Sequence, residues 1–522
     1  MHNLWLKLKG VLARMGIVDS IKSIENLPSI NVNDEDMARI TEWTNVYKGR
    51  PNWINSHAKD FNGNDHLIGA KMSLHMPKVA AKKMASLVFN QAATITAYPS
   101  GSEPQPGKTT PNDGENGPNT MLQQILHDNH FTVNFERWAE YCYATGGIVA
   151  REYVNNGKVK IRFATADAFI PISQDSNGVT ECVIATTKVV SGKYYTLLEW
   201  HKEDINNYII ENKLYRSTAT DGSDLGTEVP LSEVYPDLKP QSFYSKTIYT
   251  RPTFQYLKPN IANNFNLDSP LGVPIYANAM DTLRELDEAY DLLVHEIKTG
   301  KHLIIAPDNM VKRVTDAKLG SDPTWRVDWE TQVYQPVRGD QSGAGRDTIQ
   351  DMTLPFRADQ IISTINSLLK IFATQIGFSA GTFSYDEAQG VQTATAVISE
   401  NSETYQSKNS HETLVERFIQ DVAVSSLELA KNATSVDYSD TTDVTVVVNF
   451  DDSIAKDRDE NAKYYQTLNG NKPLMPHLES IKRANGLDDQ TAEQWLEQIN
   501  EAEIGEADVD EIMNESIGED NA

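Results

Sequence analysis

The chain has 522 residues, with 47 Lys and Arg against 73 Asp and Glu, a formal net charge of −26. At roughly 150 residues per domain, that length makes about three domains or one large subunit with several lobes, enough to bury a sizeable core. The charge balance excludes a protein that grips nucleic acid by neutralising its phosphates. Two cysteines, Cys142 and Cys182, exclude a disulfide framework or a Cys-based metal cluster and fit synthesis in a reducing, intracellular compartment.

No apolar run reaches the roughly 18 to 20 residues that cross a bilayer, so the sequence predicts a soluble protein with no membrane partner. Near the N-terminus Leu4, Trp5, Leu8, Val11, Leu12 and Met15 share one helical face. The pattern suits a terminal helix docked on its own protein or on a neighbouring subunit, and it lacks the apolar core of a secretory signal. Helical spacing follows over Asp34 to Tyr47 and Pro77 to Gln91, then a strand over Ala93 to Tyr98. Residues 100 to 119, rich in Gly, Pro and Asn, predict a long exposed loop. Helices are expected from Thr120 to His130 and around Trp138 and Tyr141, broken at Gly146-Gly147. Runs rich in Val, Ile, Tyr and Thr come next, at 147–153, 158–163, 180–187, 194–202 and 208–215. Asn156-Gly157, Asn177-Gly178 and Ser191-Gly192 punctuate them, which predicts an antiparallel meander.

The character changes after Ser269-Pro-Leu-Gly. From Pro274 to Thr299 the residues Ile275, Ala279, Leu283, Leu286, Tyr290, Leu293 and Ile297 recur every three or four positions, the seam of a long helix stopped by Gly300. Residues 301 to 355 read as a small interlude with strands at His302 to Ile305, at Trp325 to Trp329 and at Gln332 to Val337. A second long helix starts near Pro355, carries Ile361, Ile365, Leu368, Leu369, Phe372 and Ile376, and ends at Gly377. A third is expected from Thr393 to Asn432. Its first half, Ser399 to Glu412, is nearly all polar, which predicts a stretch solvated for several turns or meeting another chain through polar contacts. A strand over Val444 to Phe450 precedes a helical end. Residues 451 to 522 hold 19 acids and 6 bases, half the acidic excess of the chain, and no base follows Glu501.

The search for chemistry yields little. Gly101 to Thr109 imitates a phosphate loop, but its glycines are one residue too far apart and Pro104 and Pro106 remove backbone donors from the cradle. His127 and His130 stand three apart without further ligands, and His201 and His295 read as surface or interface histidines. Cys142 and Cys182 read as small buried residues, and no serine or cysteine nucleophile motif is present. The sequence therefore predicts no enzyme, no cofactor and no metal.

The order of elements resembles the portal proteins of tailed bacteriophages, in particular those of long-tailed phages of Gram-positive hosts. The likeness is carried by Trp43 to Trp53, by Phe135 to Tyr153 with Gly146-Gly147, by Ser269-Pro-Leu-Gly-Val-Pro, and by Ala380 to Glu403 with Gly390-Val-Gln-Thr-Ala-Thr-Ala. The resemblance implies an α+β subunit with a mixed wing (1–268), a stem helix (269–300), a clip (301–355), a second stem helix (356–378) and a tunnel loop (379–392). A long helix with a strand returning to the wing (393–450) and an acidic helical crown (451–522) complete it. It further implies a ring, expected to be dodecameric, at one vertex of the virion capsid. The partners expected are double-stranded DNA in transit, terminase, scaffold, the major capsid protein and a head–tail adaptor.

By the same likeness Thr382, Phe383, Ser384, Tyr385, Asp386, Glu387 and Gln389 line the DNA channel, with Arg284 and Lys298 as candidate channel-facing residues of the first stem helix. Trp325, Arg326, Trp329 and Arg338 of the clip meet partner proteins. Acidity suits a conduit, because every phosphate neutralised acts as a brake on DNA. The rival expectations are a capsid-associated minor head protein, which forms no ring with an axial channel, and an ATP-driven translocase, which needs an intact phosphate loop.

Overall fold

The computed structural model describes residues 34–59, 65–90, 93–99, 117–175, 178–218, 225–299, 304–307, 334–337, 350–351, 357–384, 402–433, 444–450, 465–468, 475–485 and 492–499. The chain is of α+β class and divides into two compact units. One comprises residues 1–41, 81–275 and 390–522, the other residues 42–80 and 276–389. The N-terminal amphipathic segment, the loop at 100–116, positions 393–401 of the third long helix and everything beyond residue 499 lie outside the described residues. Helix α1 (Asp34–Tyr47) starts and stops where the sequence predicts, and α2 (Met76–Val88) follows it after a short β-hairpin, β1 (Asn55–Lys59) and β2 (Asp65–Ala70).

The first unit is built on helices α3 (Pro118–Asp128) and α4 (Phe131–Thr145), on two larger antiparallel sheets and on a two-stranded one. The predicted single meander divides. Strands β4 (Ile148–Asn155) and β5 (Lys158–Thr165) form a hairpin joined by β12 (Phe254–Leu257), which pairs with β4. A short turn, Ala166–Ala168, then leads the chain into a second sheet of β6 (Phe169–Asp175), β7 (Gly178–Val190), β8 (Lys193–Glu203), β9 (Asn207–Arg216) and β10 (Thr227–Val229), with β11 (Gln241–Ser245) also on β9. Similar Val- and Tyr-rich runs fill both sheets, because alternation reports a buried face and not which sheet owns it.

The core of this unit is aromatic: Phe135 stacks on Phe131 at 5.1 Å and on Phe418 at 5.9 Å, and meets Phe89 edge-on at 4.8 Å. Phe418 belongs to α7 (Ser402–Ala433), which buries Val415, Phe418, Ile419, Val422 and Leu427. Strand β16 (Thr445–Asn449) then returns to pair antiparallel with β3 (Thr94–Tyr98). Helix α8 (His477–Asn485) and residues 492–499 are helical, as expected for the C-terminal region.

Gly146 ends α4 in the left-handed region (φ +91°), and a Cβ there would lie 2.6 Å from the carbonyl oxygen of Gly272. Two segments far apart in sequence, Gly146-Gly147 and Ser269 to Val273, thus touch backbone to backbone, which only glycine permits. Ile275 N–H is engaged by the Tyr143 carbonyl at 3.1 Å. The predicted start is corrected: α5 (Met280–Thr299) begins six residues later than its seam predicts, after a single turn at Ala277–Ala279.

In the second unit α5 pairs with α6 (Ala358–Gln375). The intervening segment contributes a small sheet in which β13 (Ile304–Pro307) runs parallel to β14 (Tyr334–Val337) and antiparallel to β15 (Gln350–Asp351). The predicted strand over Trp325 to Trp329 lies outside the described residues.

Candidate functional site

Helices α5 and α6 form an antiparallel hairpin fixed at both ends. Thr282, in the first turn of α5, donates from Oγ1 to Gln375 Oε1 at 2.8 Å at the last residue of α6. At the other end Arg357, the N-cap of α6, reaches Glu296 in the last turn of α5 through Nη2 at 3.2 Å and Nε at 3.3 Å. This pairing holds the Glu296 carboxyl below the usual carboxylate range and raises the Arg357 guanidinium. Between the ends Leu283, Leu286, Ile361, Ile365, Leu369 and Phe372 are buried. The seam then opens outward: Ile297 is 59% exposed, Ile371 51%, Leu292 46% and Ile362 39%.

A carboxylate of α5 does work that the sequence does not announce. Asp287 is only 6% exposed; it accepts the Trp53 indole N–H at 3.0 Å on Oδ2 and the Leu74 backbone N–H at 3.0 Å on Oδ1. One turn further, Asp291 accepts Met72 N–H at 2.9 Å, and Glu288 pairs with Lys71 at 2.9 Å. The chain around the β1–β2 hairpin is thereby strapped to α5. Tyr276, fully buried, donates to the Trp43 carbonyl at 3.0 Å. Trp43 and Trp53, which bound the stretch resembling portal proteins, thus both anchor to the region of the first long helix.

Of the predicted channel residues, Thr382, Phe383 and Ser384 are described. They lie in a turn closed by Thr382 N–H to the Ser379 carbonyl at 2.9 Å and Ser384 Oγ to the Gly381 carbonyl at 3.2 Å. Phe383 packs against Phe378 at 5.2 Å and Phe372 at 5.9 Å, so its ring rests on the end of α6. Tyr385, Asp386, Glu387 and Gln389 lie outside the described residues, as do Trp325, Arg326, Trp329 and Arg338. Arg284 and Lys298 are both exposed on α5; Arg284 stands 3.6 Å from Glu285.

Two expectations fail in the first unit. The polar first half of α7 is solvated on one face only: Ser402, Glu403, Gln406, Asn409 and Ser410 are exposed, but Thr404 is 5% exposed, Lys408 2% and His411 4%. Lys408 pairs with Glu412 at 2.9 Å, and His411 Nδ1 accepts Asn260 N–H at 3.0 Å while its ring meets Tyr143 edge-on. Burial pushes His411 down to about 4. A buried polar stripe and a solvated one have the same sequence, and only the partners differ.

His201, expected at a surface or interface, is also buried, 4% exposed and edge-on to Phe254 at 5.1 Å, and burial depresses it to about 3. Beside it Glu199 is fully buried against Arg151; desolvation raises its carboxyl despite that cation. Glu152, 1% exposed and bonded by Ser425, is raised to about 8 by burial. Cys142 and Cys182 are buried free thiols, as read from the sequence. His127, at the end of α3, and His130, the N-cap of α4, are exposed with ring centroids 6.3 Å apart.

The described residues thus define an α+β subunit, with antiparallel sheets in one unit and a long helical hairpin in the other. Residues 27–505, more than nine-tenths of the chain, match the family described as "Phage portal protein, SPP1 Gp6-like", and the chain belongs to that family. It is a phage portal protein, a component of the virion capsid that serves DNA packaging. Self-association and contact with capsid and terminase come with the family. A comparison with curated proteins finds no match. No described helix is long and apolar enough to cross a membrane.

Proposed function

We propose that this portal subunit closes into a ring of about a dozen copies around an axial channel at one capsid vertex. DNA passes inward through the channel during packaging and outward during ejection. Helices α5 and α6 form the stem; residues 301–355 between them form the clip, with Trp325, Arg326, Trp329 and Arg338 as its contacts to terminase and later to a head–tail adaptor. Residues 1–268 with 393–450 form the wing and residues 451–522 the crown, and scaffold guides the ring into the assembling capsid. The tunnel loop, 379–392, faces DNA through Thr382, Phe383, Ser384, Tyr385, Asp386, Glu387 and Gln389, where acidity keeps the duplex sliding. Arg284 and Lys298 supply occasional phosphate contacts.

The observation that carries this reading is the match of residues 27–505 to the portal family, beside a closed hairpin of α5 and α6 that leaves Leu292, Ile297, Ile362 and Ile371 exposed. In a ring, large heterologous contacts on both flanks of each subunit would cover such side chains. Electron microscopy of the purified protein with mass determination in solution tests it. Rings with a central hole support the reading. Particles of one or two subunits that persist when scaffold is added refute it, and ATP hydrolysis at a motor-like rate would establish a translocase instead.

A further inference from the structure

Residues 43–80 hold five Lys or Arg against two Asp, a net charge of +3, whereas the remainder of the chain is net −29. Part of this island is spent internally, Lys71 on Glu288. The rest gathers where the end of α1 meets the start of α2. Gly49 turns in the left-handed region (φ +72°), and a Cβ on it would lie 2.4 Å from the imidazole of His75, itself at φ +51°. A non-glycine residue is held in that region only when its surroundings enforce it. Lys78 lies over the Tyr47 ring, Nζ 5.3 Å from its centroid and 3.3 Å from its hydroxyl. The two turns therefore present Lys48, Arg50, His75 and Lys78 together, all four exposed. Among the described residues neither Lys48 nor Arg50 has an acidic partner within ion-pair distance.

We infer that this cluster of Lys48, Arg50, His75 and Lys78 is a contact surface for the phosphate backbone of double-stranded DNA. The inference rests on the portal reading, which supplies the duplex. The chemistry fits a ligand presenting charge from any angle: lysines act as compact point charges, and the cluster combines two exposed turns with the first turn of α2, so no helix face or strand is presented lengthwise to a base-bearing groove. Three or four contacts hold DNA loosely and independently of sequence, in keeping with a chain whose overall charge repels it. Placed on a polyanion, the cluster gives the passing duplex a local point of guidance.

The test is binding of a random-sequence duplex of about 30 base pairs to the assembled full-length protein, by fluorescence anisotropy across a salt series. Lys48→Glu, Arg50→Glu and Lys78→Glu together are compared with Lys188→Glu, Lys193→Glu and Lys239→Glu, exposed positions in the other unit that impose the same change in net charge. Losing three phosphate contacts should lower affinity about tenfold or more and reduce the slope of log affinity against log salt by about 2.7. The control triple should change affinity less than about twofold. Equal losses in the two triples overturn the inference, because net charge alone would then account for binding. Ring mass is scored separately, so loss of rings bears on the portal reading, and loss of DNA binding with rings intact bears on the cluster. Should the triple fail to assemble, amine acetylation of the wild-type protein decides. Protection of Lys48 and Lys78 by duplex DNA supports the contact. No protection, or protection by polyglutamate but not by DNA, refutes it and points to an acidic protein partner.

Discussion

Replacing Asp287 with Ala isolates the strap that ties residues 53–74 to α5. The side chain is 6% exposed and satisfies two donors, the Trp53 indole and the Leu74 backbone N–H, both at 3.0 Å. Its removal leaves both donors without their acceptor, at about 1 to 3 kcal/mol each, so the local opening free energy should fall by about 3 kcal/mol. A change of that size raises the open population by on the order of a hundredfold. Limited trypsin digestion under native conditions reads it as cleavage after Lys71, followed by mass spectrometry, since cleavage from a rapidly reclosing state tracks the open fraction. Glu288→Ala, which removes only the exposed pair to Lys71, should change cleavage by no more than a few-fold, because such pairs contribute about 0 to 1 kcal/mol. If Asp287→Ala digests no faster than Glu288→Ala, burial of the carboxylate does not hold the strap and the reasoning fails.

Glu152 titrates near 8 when folded and near 4.5 when unfolded, so the folded state binds the extra proton between those values and its stabilising effect is lost as pH rises through them. Glu152→Gln should therefore melt close to wild type at pH 5 and above it at pH 8.5; identical pH profiles would contradict the assignment. His411 has the opposite sign, depressed to about 4, so its contribution is lost as pH falls from about 6.5 toward 4. His411→Gln should flatten the acid limb of a melting profile by one proton, and an unaltered limb would exclude the buried neutral imidazole. Gly146→Ala must clear the Gly272 carbonyl 2.6 Å away and hold φ at +91°, so yield of folded protein should collapse. Recovery of a variant melting within a degree of wild type would disprove the close approach. Leu292→Asp with Ile297→Asp should leave the circular dichroism spectrum intact and abolish rings by mass measurement, and unchanged rings would remove the stem hairpin from the subunit interface.

Much of the architecture was legible in periodicity. The α1 boundaries, the stop of α6 at Gly377, the Gly146 break and the strand over Thr445 to Asn449 all follow from local preferences, as glycine stops and three-to-four spacing act within a few residues. The family followed from the order of those elements, because long helices separated by a small insertion leave a pattern that survives without any catalytic letter.

The tertiary structure alone decided which polar residues are buried and what they hold. His411 read as solvated because burial of a polar side chain depends on a donor or ring supplied by another segment, here the Asn260 N–H and Tyr143. Asp287 looked like one more helical acid until Trp53 and Leu74, more than 200 residues earlier, were brought to it. The close approach of Gly146 to Gly272 and the pairing of β4 with β12 have the same origin: each is a backbone contact between distant residues, and long-range pairing leaves no local period to read.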